Sequence, residues 1–338
     1  MRNVFLVVAF GLLFIAVFLL VGLALVWGPD LARPTLARVT ADNPCTGECV
    51  LEAAGDADAG PSWQRVRFWG PSGGPLLENY FRRDQRRDEP MAEFAQTSRY
   101  RELGRSVGRL QLLLDVGGRT VKTTCTGFLI SPRTVLTASQ CRLVEGKPAQ
   151  IRLAALRLGF VDSSAKGEGA LFALDPASAS RVPADGEAID VMTLDLTPQA
   201  ADAVKAFGAE PLALAGEAAA PGADLFVIAH PLGLEQVVLR SRCRAPEPRK
   251  PGATDETVNA ASTRILMHSC GTAPGVSGAP IFDDRTNRVV AIHVQQQLSA
   301  EADARSIGFG VPVTQAAQAL PAVKAALAGQ AQVPETVR

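Results

Sequence analysis

The chain has 338 residues, equal numbers of basic and acidic side chains (34 each) and 47% apolar residues. That length allows one large or two small domains, and that apolar fraction is enough to fill a core, so disorder is not the default. Balanced charge without a long basic stretch argues against nucleic acid as the partner.

Residues 4–27 contain no charged side chain. At about 1.5 Å rise per residue a helix of this length exceeds the ~30 Å hydrocarbon core of a bilayer. A secretory leader has an apolar region of roughly 7–15 residues and then a small-x-small cleavage site. This segment is longer and no Ala-x-Ala follows it. One N-terminal transmembrane helix is therefore expected, a signal anchor over residues 1–28 that is kept in the mature protein. Flanking charge orients it weakly, with Arg2 on one side and Asp30, Arg33 and Arg38 on the other. The cysteines say more. All six (Cys45, Cys49, Cys125, Cys141, Cys243, Cys270) follow the apolar segment, and an even number suits an oxidising compartment. The main part of the chain is expected outside the cytoplasm, in a periplasm or the exterior.

Gly28-Pro29 ends the apolar helix. Residues 29–99 are irregular and rich in Gly, Pro, Asp and Arg, which reads as a stalk. Cys45 and Cys49 are close enough in sequence for a local disulfide if the backbone turns there. No further ligands lie near them, so no metal is expected, and no cofactor. The mixed-charge run 82–89 nearly cancels itself and reads as a solvated face.

From residue 100 short apolar runs alternate with Gly, Pro and Asp. Residues 107–116, 121–130, 225–229, 289–294 and 307–313 read as strands, and Gly117-Gly118 marks a hairpin between the first two. Many short strands with turns between them favour an all-β barrel or sandwich. Residues 314–327 place Ala316, Leu320, Val323, Ala326 and Leu327 on one helical face, with Pro321 either kinking that helix or delaying its start.

Two segments carry the chemistry. Residues 125–141 run from Cys125-Thr126-Gly127-Phe128 to Thr137-Ala138-Ser139-Gln140-Cys141, and residues 275–280 read Gly275-Val276-Ser277-Gly278-Ala279-Pro280. Both resemble the trypsin-like (chymotrypsin-fold) serine proteases, bacterial type, over roughly residues 100–325. The family's first segment ends Thr-Ala-Ala-His-Cys, so Gln140 stands in the position of the catalytic histidine. Its second segment, Gly-x-Ser-Gly-x-Pro, surrounds the nucleophile, here Ser277. The resemblance implies two packed six-stranded antiparallel β-barrels, a C-terminal helix, and a tail over residues 326–338.

Acyl transfer by a serine needs a nucleophile, a base, a carboxylate to orient the base, and donors for the oxyanion. By resemblance Asp190 is the carboxylate; Asp195, five residues on, would point to the other side of an extended strand. The N–H groups of Gly275 and Ser277 would form the oxyanion hole. The resemblance also implies disulfides Cys125–Cys141 and Cys243–Cys270. Val276 stands where trypsin has the aspartate that pairs with a new amino terminus, so activation by that route is not expected. Gly271 replaces trypsin's pocket aspartate. Thr272, His293 and Gln296 are the other pocket positions, and Gln295 and Gln296 add bulk at the cleft wall. Glutamyl endopeptidases of the family use a histidine at the place of His293 to receive an acidic side chain. His230 is expected to pack in a turn, and His268 to lie on a strand behind the pocket.

A glutamine amide takes no proton near neutral pH. The leading expectation is a membrane-anchored, trypsin-like homologue with impaired or absent proteolysis whose cleft binds a peptide or protein. The alternatives are an active serine endopeptidase working through Ser277 with a non-standard base, and an envelope scaffold.

Overall fold

The computed structural model describes residues 88–144, 146–162, 164, 167–180, 190–245, 265–297 and 307–331. The apolar segment 4–27, the stalk up to residue 87, the Cys45 and Cys49 pair and the tail from residue 332 lie outside the described residues. Among the described residues no helix is long and apolar enough to cross a membrane, and no group of three His, Cys, Asp or Glu is placed to hold a metal ion.

In chain order the strands are β1 (Asp88–Pro90), β2 (Val107–Val116), β3 (Arg119–Leu129), β4 (Thr134–Thr137), β5 (Leu143–Val144), β6 (Lys147–Pro148), β7 (Gln150–Leu158) and β8 (Ala170–Asp175). They continue as β9 (Met192–Leu196), β10 (Leu225–Ala229), β11 (Val237–Leu239), β12 (Leu266–His268), β13 (Pro280–Asp283), β14 (Val289–Gln297) and β15 (Ile307–Pro312). The helices are α1 (Arg99–Gly104), α2 (Pro198–Phe207), α3 (Val313–Ala319) and α4 (Pro321–Ala331).

Strands β2, β3, β4, β9, β8 and β7 close into a barrel in that ring order. The β2–β3 hairpin turns on Gly117 (φ 59°) and Gly118 (φ 84°), both left-handed as a tight primed turn requires. The second unit departs from the expected six-stranded barrel. By its strand ladder it is a seven-stranded sheet in the order β1-β11-β10-β13-β14-β15-β12, a half-barrel; past the ladder, Ser269 N after β12 donates to Arg244 O after β11 at 3.0 Å. Strand β1 adds to the sheet's edge, pairing antiparallel with β11, Asp88 opposite Leu239 and Pro90 opposite Val237.

That strand comes from residues assigned by sequence to the stalk. The segment that follows it also packs on the domain. Met91 is fully buried, and its N–H donates to Gln236 O at 2.8 Å. Ser98 caps α1 by accepting from Arg101 N. Tyr100 then sits edge-on to Phe226 at 5.1 Å. Arg240 bonds both carboxylate oxygens of Glu89, at 2.7 and 2.8 Å. The packed domain therefore reaches back at least to residue 88.

Strand β10 shows why its sequence is an unbroken apolar run. Leu225, Val227 and Ala229 belong to the core of the half-barrel. Phe226 and Ile228 join the larger core shared with the closed barrel. A strand covered on both faces has no polar side to alternate. At the C-terminus the single helix expected over 314–327 is two helices. Leu320, before Pro321, takes an extended conformation (φ −116°, ψ 109°), because proline disfavours helical geometry in the residue preceding it. Helix α4 then crosses the tail boundary expected at residue 326.

Candidate active site

Gln140 lies in a short 3-10 turn, Ser139–Arg142, directly after β4. Cys141, its neighbour, is bonded to Cys125 on β3, which fixes the turn to the barrel wall. A closed loop of this length stabilises the fold by about 3 kcal/mol through restriction of the unfolded chain. From that turn the Gln140 side chain reaches two atoms. Its Nε2 donates to Ser277 Oγ at 2.9 Å and to the carbonyl oxygen of Val294. Val294 is free for this because the β14–β15 register slips between His293 and Gln295, a bulge that leaves the residue between them outside the ladder.

The second contact fixes the polarity of the first. A carbonyl only accepts, so the Gln140 atom facing both partners must be the NH2 group and not the amide oxygen. Ser277 Oγ therefore accepts from Gln140. A general base has to do the reverse, accepting the hydroxyl proton.

Asp190 stands on the far side of the same turn. Its Oδ1 accepts from Ser139 Oγ at 2.5 Å and from Gln140 N at 2.9 Å. Burial pushes its carboxyl above the ordinary range, while these two bonds pull it back. Asp195 lies elsewhere, accepting from Thr134 Oγ1 at 2.9 Å. The structure thus brings Asp190, Gln140 and Ser277 into one chain of contacts and leaves Asp195 out.

The Ser277 turn is built from backbone bonds. Pro274 O accepts from Leu232 N at 2.5 Å, and Val276 O from Ala279 N at 2.9 Å. In a trans peptide the N–H points opposite to the carbonyl, and the described residues contain no cis bond. Fixing those two carbonyls therefore fixes the direction of the Gly275 and Ser277 N–H groups. Among the described residues neither N–H takes part in a hydrogen bond. The carbonyls of the same two residues turn the other way, to Thr126. Thr126 Oγ1 donates to Gly275 O at 2.9 Å, and Thr126 N donates to Ser277 O at 2.9 Å. The hydroxyl also accepts from His230 N at 3.1 Å. Sequence reasoning missed Thr126, and the only signal for it was its place beside Cys125. Gly275 has φ +90°, and a Cβ there would lie 2.6 Å from His230 O; only glycine fits that approach.

Residues 125–292 match the family description "Trypsin-like peptidase domain". The chain belongs to the trypsin-like serine protease family. Among solved structures it is similar to the Rv3671c protease of M. tuberculosis H37Rv in an inactive form, with 21% identity over 67% of this chain and 90% of that one, TM-score 0.44. The active form of that protease matches at 21% identity over 65% and 82%, TM-score 0.44. A Glu endopeptidase matches at 17% identity over 67% and 91%, TM-score 0.45. No curated protein matches the sequence.

Within this trypsin-like domain the remaining predicted residues fall into place as follows. Cys243 and Cys270 form the second disulfide. Gly271 is partly exposed and Thr272 is buried, its Oγ1 having no partner among the described residues. Gln296 pairs through its backbone with Gly308, and its side chain lies outside the described residues. His293 is only 2% exposed, and its Nδ1 meets His268 Nε2 at 3.0 Å. Burial pushes the His268 imidazole down to about 3; burial and then the neighbouring His268 push His293 well below its ordinary value. Both rings are neutral, one donating and one accepting. His230 stacks on Phe160 (6.1 Å, 7° between planes) and bonds Leu234 O through Nδ1 at 2.9 Å. Burial lowers it to about 3. It packs in its turn, as the sequence suggested.

Proposed function

We propose that this chain is a serine-endopeptidase homologue that holds a peptide or protein in its cleft without cleaving it, tethered to a membrane by residues 4–27 with the domain outside the cytoplasm. The observation that carries the reading is the hydrogen bond from Gln140 Nε2 to Ser277 Oγ. It fills the place of the base with a donor, so the attacking hydroxyl keeps its proton. Loss of the histidine alone in a triad of this kind costs roughly a millionfold in turnover. Supporting the placement outside the cytoplasm, two disulfides staple the domain, a pattern of oxidising compartments.

An active endopeptidase would need a base from elsewhere. His230, His268 and His293 are buried, neutral, and bonded to Leu234 O or to each other. No observation favours any of them as that base. A fluorophosphonate probe tests the reading, because it labels only an activated serine. Ser277 in the full chain should remain unlabelled over hours; rapid stoichiometric labelling that disappears in Ser277→Ala would refute it.

A further inference from the structure

The turn that a protease uses for catalysis presents, in this chain, nothing but donors. Gly275 N–H and Ser277 N–H bond nothing among the described residues. The Ser277 hydroxyl accepts from Gln140, which leaves its own hydrogen available to a further acceptor. Both hydrogens of the Gln140 amide are spent, on Ser277 and on Val294 O. The nearest carboxylate, Asp190, has its Oδ1 taken by Ser139 and by the Gln140 N–H. Asp190 reaches this turn through Ser139 and the Gln140 main chain, and no bond joins it to Ser277 among the described residues.

We infer that this turn is a receptor for a carboxylate, the free C-terminus of a peptide, whose one oxygen sits between the Gly275 and Ser277 N–H groups and whose other takes the Ser277 hydroxyl. The inference rests on the non-cleaving reading and deepens it by naming the ligand. An internal peptide bond offers one carbonyl oxygen to three donors. A carboxylate offers two oxygens with about four lone pairs, and each bond to it is charge-assisted, roughly twice as strong as a neutral one. A main-chain carboxylate, unlike that of an Asp or Glu side chain, also leaves the last side chain free for the pocket that the family resemblance implies at Gly271 and Thr272. In this arrangement the second oxygen occupies the space where a leaving amine would be, so the bound chain ends at Ser277.

The test uses the full chain and a fluorescein-labelled hexapeptide pool of random sequence, in three forms: free acid, C-terminal amide, and amide with glutamate as the last residue. Binding is read by anisotropy. The acid pool should bind at least tenfold tighter than either amide pool, and Ser277→Ala should weaken the acid five- to tenfold and so narrow its margin over the amides. Equal binding of acid and amide, or no binding, overturns the inference. A glutamate amide that binds as tightly as the acid overturns the chain-end assignment. Mass spectrometry of the same mixtures separates failure of the underlying reading, because cleaved hexapeptides would appear there and nowhere else.

Discussion

Replacing Gln140 by histidine tests the missing chemistry and the surrounding geometry together. The amide already stands 2.9 Å from Ser277 Oγ, so an imidazole on the same backbone places a ring nitrogen where a base is needed. Its orientation depends on Asp190, whose Oδ1 already takes Ser139 Oγ at 2.5 Å and the residue 140 N–H at 2.9 Å. An ionised carboxylate has about four lone-pair sites, so room remains for a third donor. In a comparable triad, loss of the histidine costs roughly 2 × 10⁶ in turnover and loss of the aspartate roughly 3 × 10⁴. A histidine that reaches Ser277 without engaging Asp190 therefore recovers the ratio, about 70-fold. One that engages both approaches about 10⁶. Hydrolysis of a peptide thioester or p-nitroanilide by Gln140→His should rise by at least the smaller factor. It should increase with pH through the imidazole range near 6.5, where the ring loses its proton and becomes a base, and vanish in Gln140→His/Ser277→Ala. A gain below tenfold in a variant that melts with the wild type would refute the geometry; brisk Ser277-dependent turnover by the wild type would refute the chemistry.

Three further outcomes follow from the packing. Gly278 has φ +86°, and a Cβ there would lie 2.2 Å from both Thr126 O and Thr137 Oγ1, so Gly278→Ala should destabilise by about 2–4 kcal/mol, visible as a lower melting temperature. His230, His268 and His293 are held neutral below their unfolded value near 6.5. The unfolded chain then binds more protons under acid conditions, so stability is full above about pH 6.5 and falls as pH drops toward 3. His230 and His268, both held at about 3, each contribute about 2 kcal/mol of loss by pH 5, and His293 adds in the same direction. Urea midpoints measured against pH should show this, and His268→Gln should flatten the slope. Finally, a chain starting at residue 100 should be less stable to urea than one starting at 88 by at least ~2 kcal/mol, since it loses the fully buried Met91; equal midpoints would show that the early segment contributes nothing.

The sequence made the local features legible and left the long-range ones hidden. Strands β2 and β10 occupy the residues their apolar runs mark, and the Gly117-Gly118 turn lies between β2 and β3. Helix α2 went unread although Thr197 caps it and Gly208 ends it in a left-handed conformation. Its alanines give a faint apolar stripe. Residues 88–90 look like a solvated charge run because edge pairing to β11, about 150 residues away in sequence, leaves no local mark. At the site, the positions of Gln140, Asp190 and Ser277 were readable from motifs. The direction of the bond between the first and the last was not, because it is decided by Val294 O, which a bulge exposes.

Thr126 belongs by its main chain to the closed barrel, yet its N–H and hydroxyl hold the carbonyls of Ser277 and Gly275 in the loop that enters the half-barrel. One residue thus rivets the two halves of the domain at the serine itself. A displacement of one half against the other would have to break or carry with it the bonds that hold the serine loop.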